Sequence, residues 1–224
     1  MNNKKHILSV KNIYQSFGQQ EVLKNVSLDI LSGKIYLIKG RSGCGKSTLL
    51  NICSLIESPR SGEIIFNGRN VSELQDEELS LMKKKIGYIF QDYNLFENLS
   101  VFENLYIYLQ LITDLTKKEC FQKIKSALTE YNMESKMSSK VKLLSGGERQ
   151  RITIIRTLLT EKKIIFADEP SANIDDVNIN IMKQAFLKEK EQGVTTMIVT
   201  HDTVFDNIAD FVYRIEQGVL VCEG

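Results

Sequence analysis

Gly40-Arg41-Ser42-Gly43-Cys44-Gly45-Lys46-Ser47 has the spacing G-x-x-x-x-G-K-[ST] of a phosphate-binding loop. Glycines without a Cβ let backbone N–H groups close around phosphate oxygens. A helix expected from Ser47, with Thr48 in its first turn, aims its N-terminus at the same anion. In such a loop Lys46 reaches the β- and γ-phosphates and the Ser47 hydroxyl ligates Mg²⁺. An ordinary glycine turn is the alternative, and the apolar strand before the loop and the helix after it argue against that.

Two further clusters carry chemistry. Ile164-Ile165-Phe166-Ala167-Asp168-Glu169 is an apolar run ending in adjacent acids. Beside a phosphate loop, Asp168 would hold Mg²⁺ directly or through water. Side chains alternate along a strand, so Glu169 is expected to point another way, where it can orient or deprotonate the attacking water. A helix-capping or solvent-facing acid pair is the plainer reading. Leu144-Ser145-Gly146-Gly147-Glu148 precedes Arg149-Gln150-Arg151 and a helical stretch through Leu159. Ser145, Gly146 and Gly147 offer a hydroxyl and bare N–H groups at a helix N-terminus. That is an anion site without its own lysine, or simply an N-cap and turn.

Positioning these groups takes buried strands. Ile7–Val10, Val22–Ile30 and Lys34–Lys39 read as strands broken at Gly18 and Gly33. Ile35-Tyr36-Leu37-Ile38 is apolar without alternation, as a strand covered on both faces is. Glu63–Phe66, Ile86–Phe90, Lys163–Ala167 and Thr195–Thr200 are further strands, with a helix at about Val177–Glu191. From about Asp92 to Leu144 apolar residues recur at helical spacing, as at Leu99, Phe102, Leu105 and Leu109, then Phe121, Ile124 and Leu128. The pattern predicts an α/β fold: buried parallel strands interrupted by a mainly helical insertion.

Composition narrows the classes. Apolar residues make up 42% and charged residues 25%, values of an ordinary globular chain. With 29 Lys and Arg against 28 Asp and Glu, the net charge of +1 gives no field for nucleic acid or an anionic membrane. Cys44, Cys53, Cys120 and Cys222 show no C-x-x-C spacing, so neither a zinc nor a redox motif is expected. No signal-peptide run follows Met1–His6, and no stretch reaches the ~20 apolar residues of a membrane span. The expectation is a reduced, cytoplasmic chain without an anchor of its own.

Taken together, the residues resemble the ATP-binding cassette family over essentially all 224 positions, and L-S-G-G-E at Leu144–Glu148 matches its signature motif. Other marks fall in the family's order. Gln91 sits where the family has a metal- and water-contacting glutamine. Ser171-Ala172-Asn173-Ile174-Asp175 looks like the loop after the catalytic acid, and His201 like the switch histidine that contacts the γ-phosphate. Phe17 resembles the aromatic that stacks on adenine, with Tyr14 a rival in the neighbouring register. Taken singly, Gln91 and His201 read equally well as capped strand ends. Two departures bear on loop shape: Val141 stands where a proline is common, and Ser171-Ala172 where relatives commonly show Thr-Gly.

The resemblance implies one nucleotide-binding domain over residues 1–224. It would comprise a P-loop NTPase core with a parallel sheet, an N-terminal antiparallel β subdomain and a helical subdomain inserted at 92–145. It further implies a head-to-tail dimer that holds two ATP and Mg²⁺ between the chains, each on one chain's phosphate loop and the partner's Ser145-Gly146-Gly147. Arg149-Gln150-Arg151 after the signature, a short chain and no C-terminal regulatory extension resemble ATPases of lipoprotein release, macrolide efflux and bacteriocin export. That implies a separate membrane permease holding the chain at the inner face of the membrane, with Leu95, Phe96 and Phe102 on the docking surface or, alternatively, in the core. Chromosome and repair members insert a long coiled coil between loop and signature, and here Lys46 and Ser145 are only 99 residues apart (145 minus 46). A soluble ATPase of iron–sulfur assembly remains the alternative. A small-molecule kinase has no use for the signature or His201.

Overall fold

The computed structural model describes residues 6–172 and 174–223. Asn173, one of the residues singled out above, and Met1–Lys5 lie outside the described residues.

Strands β1 (His6–Phe17) and β2 (Gln20–Leu31) form a hairpin turning at Gly18 and Gln19. Then come β3 (Ile35–Lys39), α1 (Lys46–Cys53), β4 (Ser61–Phe66), β5 (Arg69–Asn70), α2 (Asp76–Lys84) and β6 (Ile86–Ile89). Helices α3 (Val101–Ile112), α4 (Lys117–Glu130) and α5 (Gly146–Leu158) follow. The chain closes with β7 (Ile164–Asp168), α6 (Asp176–Glu191), β8 (Thr195–Thr200), β9 (Phe211–Glu216) and β10 (Val219–Cys222).

An antiparallel sheet runs in the order β2-β1-β4-β5, and a second sheet in the order β10-β9-β3-β8-β7-β6. The latter is parallel from β9 to β6, with β10 antiparallel at its edge. Its central strands feed two cores at once. In β3, Tyr36 and Ile38 pack with Leu49, Leu50, Ile52 and the antiparallel sheet, while Ile35 and Leu37 pack with Met182 and Phe186 of α6. In β7, Ile164 and Phe166 face the first core and Ile165 and Ala167 the second. Both faces are covered, so the strands carry no polar alternation. Each such fully buried aliphatic or aromatic side chain contributes roughly 1.5–3 kcal/mol.

A third core lies among the helices. Val101, Leu105 and Leu109 of α3 meet Cys120, Ile124 and Leu128 of α4, together with Val141, Leu144 and, from α5, Ile152 and Ile155. The three helices begin with the same device, a capping box: Ser100 with Glu103, Thr116 with Glu119, Ser145 with Glu148. Phe121, taken from sequence as part of the apolar stripe, is instead 42% exposed, and the buried stripe starts one residue earlier at Cys120. Phe121 lies on the rim against Phe102, ring centroids 5.8 Å apart. Leu99 precedes α3. Val141, in the place where a proline is common, is wholly buried in this core.

Three elements go beyond the sequence expectation. β1 continues to Phe17 through irregular pairing around Asn12, whose φ is +51°, so its alternation is broken. Helix α2 buries no residue fully; its short apolar side, Leu79 and Met82, rests half-buried on the first core, and its acidic first turn and basic last turn oppose the helix dipole. The β9–β10 hairpin turns through Gln217 and Gly218, both at positive φ, as a two-residue turn requires.

Candidate active site

The apolar β3 delivers the chain to the loop Gly40–Ser47, and α1 begins at Lys46. Gly45 caps α1 at φ +105°, and a Cβ there would stand 3.0 Å from the Val22 carbonyl oxygen, so only glycine fits. A cleft of about 570 Å³ opens beside this loop. Arg41, Ser42, Gly43, Gly45, Lys46, Ser47 and Thr48 line it from the loop side, and Gln91, Glu169 and His201 from the strand ends. Residues scattered from position 41 to 201 therefore meet because β3, β6, β7 and β8 are parallel neighbours whose C-terminal ends lie on one edge.

Asp168 continues the face of β7 that carries Ile164 and Phe166, the face covered by α1. It accepts a hydrogen bond from Ser47 Oγ at 3.0 Å. Burial pushes the Asp168 carboxyl above its ordinary range, against the lowering effect of the Ser47 hydroxyl, with neighbouring Glu169 raising it further. A hydroxyl, a carboxylate short of counter-charge and the Gln91 carboxamide are hard oxygen donors of the kind Mg²⁺ takes, so these residues fit that ion.

Strand alternation does not decide where Glu169 points. Its φ is +42°, and its N–H donates to the Val199 carbonyl at 2.9 Å, so the chain turns as it leaves β7. The side chain swings back to the loop: Oε1 lies 3.2 Å from Lys46 Nζ, and Oε2 lies 2.9 Å from His201 Nδ1 and accepts the His201 N–H at 3.2 Å. Alternation predicts divergent acids, whereas Asp168 and Glu169 both converge on the loop, one on Ser47 and the other on Lys46. Lys46 is 5% exposed and also donates to the Gly40 and Arg41 carbonyls at 2.9 and 3.2 Å.

Other sequence candidates are placed differently. Phe17 and Tyr14 are 54% and 42% exposed and do not line the cleft; Val22, on the partner strand of their hairpin, does. Cys44 and Gly40 face away, lining a separate cavity with Arg214. Ser145, Gly146 and Gly147 lie outside the cleft. Ser145 is the N-cap of α5, its Oγ accepting from Glu148 N–H at 3.3 Å, so the capping reading holds whatever else the turn binds. Gly147 has a packing reason: a Cβ would come 2.2 Å from Asn178 Nδ2. In the loop after Glu169, the Ser171 hydroxyl donates to Asp202 Oδ2 at 2.7 Å, and Ala172 lines the cleft. Of the apolar trio, Leu95 and Phe102 pack on the helical core and Phe96 stays exposed.

Sequence reasoning missed the groups that hold these loops to α5. Gln150 Nε2 donates to the Pro170 carbonyl at 3.0 Å, and Arg156 donates to the carbonyls of Tyr93 and Asn94. A lone cation after Ile152-Thr153-Ile154-Ile155 was the available signal for Arg156.

A family model described as ABC transporter matches residues 23–172. The chain belongs to the ABC transporter family, as an ATP-binding and ATP-hydrolysing subunit. The lipoprotein-releasing system ATP-binding protein LolD of Aquifex aeolicus is 35% identical over 97% of this chain and 97% of its own length. The macrolide export ATP-binding/permease protein MacB of Campylobacter jejuni is 36% identical over 97% of this chain, which spans only 34% of that protein. An ABC transporter cassette solved as a dimer superposes with a TM-score of 0.88 at 31% identity, covering 95% of this chain and 96% of that one. The same cassette in a dimeric post-hydrolysis state bound to ADP and Pi gives 0.87. Among the described residues no helix is long and apolar enough to cross a membrane.

Proposed function

We propose that this chain is the motor of a transporter that exports or extracts a lipoprotein, peptide or antimicrobial compound through a separate membrane permease. The likeness to LolD and MacB supports that cargo class. The proposed domain is a single cassette over residues 1–224 with a helical subdomain at 92–145. Held by its permease, it works peripherally at the inner face of the membrane, with the exposed Phe96 offered to the partner. The near-neutral charge gives no reason for nucleic acid as a ligand.

One observation carries the reading: the phosphate loop, Gln91, Glu169 and His201 share one cleft, while the signature turn stands outside it. A turn with hydroxyl and N–H donors that cannot reach its own cleft is suited to the triphosphate of a second copy. The proposed assembly is a head-to-tail dimer with two ATP molecules between the chains. In each half, the loop N–H groups and Lys46 grip the phosphates, and an exposed ring of the β1–β2 hairpin, Phe17 or its rival Tyr14, stacks on adenine at the cleft's edge. Ser47, Asp168 and Gln91 would hold Mg²⁺, which when bound neutralises charge on the β- and γ-phosphate oxygens.

Glu169 accepts a proton from water as its oxygen attacks the γ-phosphorus, and the bond from that phosphorus to the bridging oxygen breaks to release ADP. His201, already 2.9 Å from Glu169, orients that carboxylate and donates to the γ-phosphate. The triphosphate must first displace Glu169 from Lys46. Glu169→Gln should therefore abolish turnover while ATP binds more tightly and the dimer persists. Phosphate release and size-exclusion chromatography with ATP measure this. Wild-type hydrolysis in that variant would remove Glu169 from the chemistry.

A further inference from the structure

The turn that carries Gln91 is held in a conformation its own residues resist. Tyr93 N–H donates to the Phe90 carbonyl at 3.2 Å and Asn94 N–H to the Asp92 carbonyl at 2.6 Å. The chain then leaves through two consecutive left-handed residues, Tyr93 at φ +61° and Asn94 at φ +47°. Left-handed backbone costs a residue with a Cβ roughly 1–2 kcal/mol, least for asparagine. Such a pair persists only where its surroundings oppose relaxation.

Among the described residues one side chain hydrogen-bonds the carbonyls of both. Arg156, in the last turn of α5, donates Nη2–H to the Tyr93 carbonyl at 2.9 Å and Nη1–H to the Asn94 carbonyl at 2.5 Å. No carboxylate acts on it among the described residues, and burial holds its guanidinium below the ordinary value. A half-buried cation whose hydrogen-bond partners among the described residues are two carbonyls binds them strongly, since charge-assisted hydrogen bonds exceed neutral ones. The planar fork spans two adjacent carbonyls as a point ammonium does not.

We propose that Arg156 is the positioning residue for Gln91: its clamp on the two left-handed carbonyls fixes where the glutamine enters the nucleotide cleft. The inference rests on the reading of Gln91 as a contact to metal and water. Helix α5 begins at the signature turn, so one rod carries both Ser145 and the clamp, about 16 Å apart at 1.5 Å per residue. A shift of the signature turn against a bound nucleotide is thereby delivered to the Gln91 loop.

A double-mutant cycle on the purified full chain tests this, with turnover and Mg-ATP affinity measured for wild type, Gln91→Ala, Arg156→Met and the double variant. Methionine keeps an apolar stem and removes both hydrogen bonds. Arg156→Met should lose about 10- to 100-fold in kcat through misplacement of a catalytic contact, with the ATP dissociation constant within about twofold of wild type. The double variant should be no slower than Gln91→Ala alone. Wild-type turnover in Arg156→Met, or losses that multiply in the double variant, overturns the proposal. A slow Gln91→Ala beside a normal Arg156→Met sinks the clamp alone. Wild-type turnover in Gln91→Ala sinks the reading of Gln91 together with the clamp. Should Arg156→Met fail to fold, Arg156→Lys carries the same cycle with the same outcomes, its turnover expected between the two.

Discussion

Lys46 is a heavily engaged buried charge, with Glu169, Gly40 and Arg41 all within 3.2 Å of its ammonium. If Lys46 takes the phosphates as proposed, the triphosphate competes with these acceptors, so nucleotide binding is an exchange of acceptors rather than a gain of new ones. Glu169→Gln weakens one competitor, and the ATP dissociation constant should fall by up to about tenfold, the equivalent of about 1.4 kcal/mol; titration calorimetry reads it. Asp168 poses the opposite problem. Its carboxyl is raised by burial, so the folded state holds a proton that the unfolded state has lost. Stability without nucleotide therefore falls as pH rises from the ordinary carboxylate range through the raised folded value, and stays lower above it. Asp168→Asn should raise the Tm of the nucleotide-free chain at neutral pH. It should also remove most of the Tm gain that Mg-ATP gives wild type. Scanning calorimetry with and without Mg-ATP checks both, and a lower nucleotide-free Tm counts against the buried-charge account.

At the scale of elements, α5 organises the site. Its N-terminus is the signature turn, its middle holds the loop after Glu169 through Gln150, and its last turn holds the Gln91 loop through Arg156. Its contact with α6 is close: Asp175 caps α6 by accepting from the Asn178 N–H at 2.8 Å, and the Asn178 carboxamide fills the space above Gly147. Gly147→Ala gains about 0.5–1 kcal/mol in helix propensity. Forcing a methyl against a buried carboxamide costs about 1–3 kcal/mol, so the clash wins. The variant should melt at a lower temperature, and Asn178→Ala in the same chain should restore much of the loss. A Gly147→Ala chain as stable as wild type would show that α6 yields.

In the proposed dimer the whole molecule is half of a catalytic unit. Two cores grip a shared parallel sheet and leave its C-terminal edge open as the nucleotide cleft, while the signature turn faces elsewhere. Ser145→Arg adds a long cation to that turn without touching the cleft. ATP affinity of the monomer should stay within about twofold, whereas ATP-dependent dimerisation should be lost; light scattering with Glu169→Gln in the background measures it. Undiminished dimerisation would reject the trans site.

The chemistry-bearing residues were legible because glycine, lysine and strand-end acids at fixed spacing state a local geometry that tertiary context seldom overrides. The two-faced strands were legible for a similar reason: Ile35–Ile38 and Ile164–Ala167 lack alternation because both faces are covered. Local period failed where burial is set from outside. Helix α2 carries only the half-buried pair Leu79 and Met82, too short a stripe to announce it, and Phe121 looks like core but is displaced to the rim by Cys120. Only the tertiary structure decided that Glu169 turns onto Lys46, since that depends on a hydrogen bond to Val199 thirty positions on. It alone decided that Arg156 holds the Gln91 loop 62 residues upstream of it. Sequence alone determined which groups could meet a triphosphate, since spacing and type are covalent properties. Where those groups point was decided by contacts between distant segments, which exist only once the sheet has brought them together.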